Sequence, residues 1–591
     1  MKYFCNPLNL EYKYQFNKQG ENVSVSREAA DPSLILFKGR YYLFISMSCG
    51  FWYSDDMLDW KFHPLKNFQG YDYAPDICPI GDYLILSASS HEYGRFYRTK
   101  DLFSDEFEVI DFPFAFWDPA LFLDDDSRLY LYWGCGPLSP IFGIEIDPET
   151  LQPIGETNKL ILCDEETKGF ERRGENHFEE KLNPEEIEAR ISAIASAMGM
   201  SELTEEARES IKGYFAGHPY NEGAWMTKQN GRYYLQYGTP GTQYNVYCNA
   251  VYVSDGPLGN YEIAKNNPFS YKPGGFIPGA GHGSTLKDKQ GDFWHSATMR
   301  ISVNQVFERR VGLWRAGFDN DGELFCDQRY GDFPYRIDQN PWEKPDFMLL
   351  SYNKSAKASS FADDKTPDKA FDENIQTWWR AQTNNPDEWL EVDLGMEYDV
   401  RAIQINFADD GLSLPIPEGA ILKGSTYSKR WIDEKNQFTR WILEGSVDGL
   451  NYFVIEDKSK TKTDLPHDFI LRENGIKARY IRLTVVALPY GQAPCVSGLR
   501  VFGNGNGEAP KVAANVSSTR EGELDVKINW EGNATGYVAL WGYAPDKLYH
   551  SFMVFSKEVN IGALAKGQPL YVRVDSFNEN GITEGQVTSE I

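Results

Sequence analysis

What the chain lacks narrows its class first. Its eight cysteines, Cys5, Cys49, Cys78, Cys135, Cys163, Cys248, Cys326 and Cys495, are scattered with no CxxC pair. That argues against a zinc site and leaves buried free thiols as the expectation. No run of about 18 apolar residues occurs, so no membrane span is expected. Positive charge is short: 59 Lys and Arg stand against 86 Asp and Glu, for a formal net charge of −27, with no long Lys/Arg-rich stretch. This argues against a nucleic-acid partner and suits a neutral one. Met1 leads into polar sequence without a signal-peptide pattern; the expectation is either an intracellular protein or a chain trimmed of its leader.

What is present points to β-structure. A chain of 591 residues exceeds a single core, and two to four domains are expected. Aromatics at 15% with 51 glycines suit pleated faces joined by tight turns. One phrase recurs along the first 300 residues. Residues 28–46, EAADPSLILFKGRYYLFIS, read as an acidic start, a short apolar strand, a Lys-Gly turn and an aromatic strand. The echoes are YAPDICPIGDYLILSAS from Tyr73, FWDPALFLDDDSRLYLYWG from Phe116, NEGAWMTKQNGRYYLQYG from Asn221 and GHGSTLKDKQGDFWHSATM from Gly281. Asp31, Asp76 and Asp118 are spaced by 45 and 42 residues, enough for one four-stranded sheet per copy. The gap of 104 residues from Asp118 to Glu222 calls for an insertion. Residues 183–214 supply it: Asn183 and Pro184 open a helix with Ile187, Ile191 and Ile194 at helical spacing, and a second helix follows Thr204. The insertion enters just before Glu222, where it either overhangs that residue's face or serves packing alone.

Five such sheets make a five-bladed β-propeller whose first strands line a central channel. On that geometry the leading positions Asp31, Asp76, Asp118, Glu222 and His282 converge on one channel mouth. After a connector at 335–350, alternating strands over 350–503 predict a β-sandwich. The stretch GNGNGEAP at 503–510 reads as a flexible linker, and 509–591 as a small immunoglobulin-like sandwich. The fold class is all-β, with a short helical insertion in a propeller covering residues 1–340.

Carboxylates gathered at a channel mouth suit glycosidic hydrolysis. One protonated acid serves the leaving oxygen and one carboxylate serves water, while a third can raise the acid's pKa. Asp31, Asp118 and Glu222 fit such a trio, although Asp-Pro is also a common turn start. The motifs ADPS (30–33), FWDPALFLDDD (116–126), EGAW (222–225) and GHGS (281–284), in that order, resemble family 43 glycoside hydrolases, five-bladed propellers that invert anomeric configuration. The resemblance implies Asp31 as general base, Asp118 as the residue tuning the acid's pKa, and Glu222 as general acid. It implies His282 beside a central ion, often calcium held through water; a hydrogen-bonded structural histidine is the other reading. The chemistry itself needs no cofactor. Arg309, with Arg310 as competitor, matches an arginine that contacts substrate hydroxyls. Trp117 and Trp225 flank two of the carboxylates as pocket walls or blade core. Asp76 is rated structural or substrate-adjacent, His295 packing, and 170–178 a charged loop before the insertion.

Residues 350–503 resemble factor 5/8 type C (discoidin) domains through Trp378–Trp379, EWLEVDLG and RYIRLTV. They form a jelly-roll that is either a carbohydrate-binding module or a spacer, with the tryptophan pair read as core. The last segment resembles fibronectin type III. The resemblances imply an exo-acting enzyme releasing arabinofuranosyl or xylosyl units from plant polysaccharides or oligosaccharides. A β-galactosidase or galactofuranosidase of the same fold and a non-catalytic carbohydrate binder stay open. The partner is a carbohydrate, a monomer is expected, and the enzyme class implies a periplasmic or extracellular site of action.

Overall fold

The computed structural model describes residues 2–68, 73–197, 203–424 and 429–589. The repeated phrase folds as a hairpin because its turn residues accept positive φ: Lys38 (47°) and Gly39 (78°) join Ser33–Phe37 to Arg40–Phe44, with Phe37 paired to Arg40. Two successive positive φ values match the twist of the flanking strands. Gly50–Ser54 and Lys61–Pro64 complete the first sheet. The same meander recurs from Asp76–Ile80, Ala120–Leu123, Tyr220–Gln229 and Gly281–Lys287, giving five sheets. These first strands neighbour one another in order, and Gly281–Lys287 returns beside Ser33–Phe37, closing the ring.

Burial explains why the blades stay together. The inner strands of each blade carry apolar side chains on both faces, so each pair of neighbouring blades encloses an apolar layer. Leu34, Leu43 and Trp52 meet Trp294 and Leu313 between blades one and five. Phe44 and Phe51 meet Ile77 and Leu86 between blades one and two, and Phe96 meets Leu129 and Leu131 between two and three. Tyr132 joins Leu235 between three and four, and Tyr234 joins Met299 and Trp314 between four and five. The fold is an all-β five-bladed propeller followed by two β-sandwiches.

The insertion forms α1 (Pro184–Ala197) and α2 (Glu205–Phe215). Asn183 Oδ1 accepts from the Glu186 N–H at 3.0 Å while the Glu186 carboxylate accepts from the Asn183 N–H at 2.8 Å, a reciprocal cap that starts α1. Residues 198–200, the end of the sequence read as the first helix, lie outside the described residues. The α2 helix stands against the strand carrying Glu222: the Tyr214 and Tyr220 ring centroids are 6.1 Å apart.

The sandwiches are docked, not strung on. Two long strands, Glu388–Phe407 and His467–Ala487, organise the middle one around buried Trp379 and Trp441. One hairpin of that region leaves its sandwich: Lys429–Ile432, paired to Ile421–Gly424, also pairs with Tyr14–Gln19, whose other neighbour Asn22–Arg27 leads into Asp31. The last sandwich has a three-stranded and a five-stranded sheet. It pairs its backbone with the loop before the insertion, Gly169 N donating to Leu564 O (2.8 Å) and Lys566 N to Thr167 O (2.9 Å). The expected flexible linker at 503–510 is instead pinned, because Gly505 N donates to Glu579 O (2.8 Å) and Gly507 N to Asn580 Oδ1 (2.9 Å). Composition recorded its glycines but not these partners.

Candidate active site

The leading positions meet at one mouth through a repeated backbone device. In blades one to three the carbonyl before the leading residue accepts from the end of the second strand: Ala30 from Ser46, Tyr73 from Ser89, Trp117 from Gly134, each at 2.9 Å. The leading residues Asp31, Ala74 and Asp118, and His282 in blade five, all take the left-handed conformation, with φ of 54°, 50°, 51° and 44°. Such strain in non-glycine residues costs about 1–3 kcal/mol each and clusters at functional sites. In blade four the bulge between Glu222 and Trp225 does the turning, with Gly223 at φ 61°. A Cβ on Gly223 would lie 2.4 Å from the His282 ring, so only glycine lets the ring lie there.

This register corrects one expectation. The blade-two counterpart of Asp31 is Ala74, which lies 43 residues after Asp31 and 44 before Asp118. Asp76 sits two residues further, at the start of the inner strand and turned into the fold. Its carboxylate accepts from Ser33 Oγ (3.3 Å) and the Leu121 N–H (2.8 Å), tying blades one, two and three. Burial raises its pKa to about 7 against those hydrogen bonds.

Hydroxyls lock the acids in place. Ser46 Oγ donates to Asp31 Oδ2 (2.7 Å) and accepts from the Ala74 N–H (2.7 Å). Ser89 Oγ donates to Asp118 Oδ1 (3.1 Å) and accepts from the Asp118 N–H (2.9 Å). Thr298 Oγ1 accepts from the Asp31 N–H (2.9 Å), so blade five does for Asp31 what blade one does for Ala74. Asp31 Oδ1, by contrast, is buried without a hydrogen bond, with His282 Nδ1 at 3.2 Å and Arg309 Nη1 at 3.6 Å. His282 Nδ1 also lies 3.6 Å from Asp118 Oδ2.

The neighbours set the protons. Burial would raise Asp31, but Arg309, His282 and the donors at Ser46 and Ala74 outweigh it and hold the carboxyl below its ordinary value. Asp118 goes the other way. Burial lifts it to about 7, with the Glu222 and Asp31 charges adding and His282 opposing. Burial raises Glu222 as well, against His282 and the phenol of Tyr247, which donates to Oε1 at 2.6 Å. The Cys135 thiol donates to Glu222 Oε2 at 3.4 Å. Ligand atoms of Asp118, Cys135 and Glu222 lie within 4.8 Å of one another, close enough for the two carboxyls to titrate as a coupled pair; Asp31 stands outside that group.

Arg309 faces the site, its Nη2 paired to Glu28 and its Nη1 3.2 Å from Thr242 Oγ1. Arg310 turns away and donates to His467 Nε2 at 2.7 Å. Trp117 is half-exposed beside Asp118, edge-on to His91 at 4.6 Å. Trp225 is not brought to the acids: its Nε1 donates to Thr285 O (3.2 Å) and its ring packs on the blade one and two core. His295 is buried with Nδ1 3.1 Å from Thr285 Oγ1. In the loop 170–178, Arg172 pairs with Asp525 (2.6 Å), Arg173 with Glu179 (3.1 Å) and Glu175 with Arg300 (2.7 Å). Trp378 and Trp379 are buried. His282 Nδ1 lies between two carboxylates, one already bonded to Ser46 and the other to Ser89.

Sequence reasoning missed Ser46, Ser89, Thr298, Cys135, Tyr247 and Glu28. Ser46 and Ser89 lie just past their blades' second strands and Thr298 within its own, places where a hydroxyl is common in any β-chain; Tyr247 and Cys135 carry no signal at all.

Residues 174–324 match the family model described as glycosyl hydrolases family 43, and residues 369–483 match the NedA-like, galactose-binding domain. No curated protein matches the chain. Among solved structures it is similar to a glycoside hydrolase (15% identity, 80% of this chain and 97% of the other, TM-score 0.42). It is also similar to a thermostable family-43 glycoside hydrolase (18%, 57% and 100%, 0.42) and to a xylan beta-1,4-xylosidase from Bacillus halodurans (13%, 81% and 100%, 0.39).

Proposed function

We propose that the protein is an inverting glycoside hydrolase that removes terminal arabinofuranosyl or xylosyl units from plant polysaccharides or their oligosaccharides. One observation carries the reading: equivalent positions of one channel mouth bring Asp31, beside His282 and Arg309, together with the close pair Asp118 and Glu222, and these surroundings lower the Asp31 pKa and raise the other two. Inverting hydrolysis requires that pairing of base and acid. Asp31 Oδ1, the oxygen without a hydrogen bond, takes a proton from the attacking water. Glu222 gives its proton to the leaving oxygen as the anomeric bond breaks, and Asp118 keeps that proton available near neutral pH. Arg309 holds Asp31 ionised and faces the sugar hydroxyls. The exo reading rests on helix α2 standing beside the strand that bears Glu222. The match of residues 174–324 to family 43 supports the class.

A galactosidase or galactofuranosidase is the second reading, favoured by the galactose-binding family match over residues 369–483. A panel of aryl pentosides and hexosides separates the readings. Turnover of an arabinofuranoside or xyloside, lost in Asp31→Ala, is the expected result. Turnover of galactosides alone selects the second reading, and sugar binding without hydrolysis of any substrate would overturn the enzyme.

A further inference from the structure

The hairpin that leaves the middle sandwich brings a guanidinium to the wall of the active site. Arg430, on Lys429–Ile432, is 5% exposed and pairs with Glu28 Oε2, while Arg309 pairs with Glu28 Oε1. Glu28 lies three residues before Asp31, just past Asn22–Arg27, an outer strand of the four-stranded sheet that the hairpin joins. A second bond runs from Arg430 Nη1 to Gln15 Oε1 at 3.1 Å on that sheet. Both guanidinium groups lie over the same two rings, Arg430 at 5.1 Å from Tyr73 and 5.6 Å from Phe307, Arg309 at 5.8 and 4.8 Å. Ile432 and Ile421 of the hairpin pack on Met47, Cys49 and Tyr73, next to the Ser46 that bonds Asp31.

We propose that Arg430 is a positioning residue of the active site, supplied by the second domain, which occupies one oxygen of Glu28 so that Arg309 is left to serve Asp31. The charge bookkeeping requires it. A buried carboxylate beside one arginine takes both forks of that guanidinium, the strongest pairing on offer. With Arg430 on Oε2, Arg309 gives Glu28 one fork and keeps Nη1 toward Thr242 and Asp31. Without Arg430, Glu28 draws the second fork and Arg309 leaves Asp31. The middle domain is thus part of the catalytic unit, whatever else it binds.

The kinetic half of the test rests on the hydrolase reading; the structural half does not. In the full chain, Arg430→Met is expected to lower kcat/KM about tenfold or more and to raise KM about fivefold, because Arg309 also faces substrate. Arg430→Lys restores part of it. In a Glu28→Gln background the same change is expected to cost less than about twofold, since the two act as one unit. A loss that persists undiminished in that background, or a loss of active protein and melting temperature with KM unchanged, overturns the proposal. A crystal structure of Arg430→Met is expected to show both Arg309 forks on Glu28; Arg309 unmoved beside Thr242 and Asp31 overturns it. If Arg430→Met does not fold, the Arg430→Lys structure and its cycle with Glu28→Gln decide. If the wild type hydrolyses no glycoside in the panel, the hydrolase reading falls separately and the structure of the variant alone judges Arg430.

Discussion

Asp31 and Glu222 occupy equivalent places in blades one and four, yet their surroundings drive their protons in opposite directions. Two guanidinium groups stand on the Asp31 side: Arg309 beside it and Arg430 sharing the buried Glu28. The wall behind Glu222 is made of a phenol, a thiol and a second carboxyl. Burial acts on both and would protonate both. What sets the two carboxyls apart, and on the proposed reading makes one the base and the other the acid, is the charge supplied by neighbours, not the repeated backbone that carries them.

The comparison can be broken from either side. Asp31→Ala should cost the most, up to about 10⁴-fold in kcat on every leaving group, because it removes the proposed base. Comparable turnover with a nucleophilic anion such as azide added would show that only the base is missing. Glu222→Ala should follow, with about a 10³-fold loss on poor leaving groups and a small one on activated aryl glycosides, which leave without a proton. Equal losses on both would take the acid role from Glu222.

Sharpening comes from the pH profile. Activity requires Asp31 ionised and the Asp118–Glu222 pair protonated, so it should rise below the ordinary carboxylate range and fall as pH passes about 7, where Asp118 releases its proton. Tyr247→Phe removes a donor that favours ionised Glu222. The basic limb of kcat/KM should therefore move to higher pH, with the peak rate changed about threefold or less. A limb moved downward would contradict that sign.

Much of this was legible in the chain. The strand-turn-strand phrase, its five copies and the long gap before Glu222 disclose a propeller with an insertion, because hairpin turns and apolar strands are written locally. Asp31, Asp118, Glu222 and His282 stand out because each breaks the apolar pattern at the same phase. Asp76 misled for the same reason: an acidic residue near the start of a copy drew attention from Ala74, whose backbone holds the equivalent place without a carboxylate. Ser46 and Ser89 were invisible as functional groups, since serine ends many strands. Arg430 was beyond reach, because its partner lies 402 positions away and the hairpin leaves the domain that encodes it.

The smallest effect concerns Asp76, the acid turned away from the site. Its folded pKa is raised to about 7, so its contribution to stability is full below the unfolded carboxylate value and is lost as pH rises through about 7. Asp76→Asn should melt higher than the wild type above pH 7, with the advantage gone by about pH 4 and catalytic rates within about twofold. A loss of activity equal to that of Asp31→Ala would return Asp76 to the site.

The most direct measurement follows the first-formed sugar anomer by proton NMR during hydrolysis of an aryl glycoside by the wild-type chain. With Asp31 activating water and Glu222 protonating the leaving oxygen, the product should appear with inverted configuration and then mutarotate. Release of the retained anomer would mean that a carboxylate attacks the sugar itself, and would contradict the assignment of Asp31 as base.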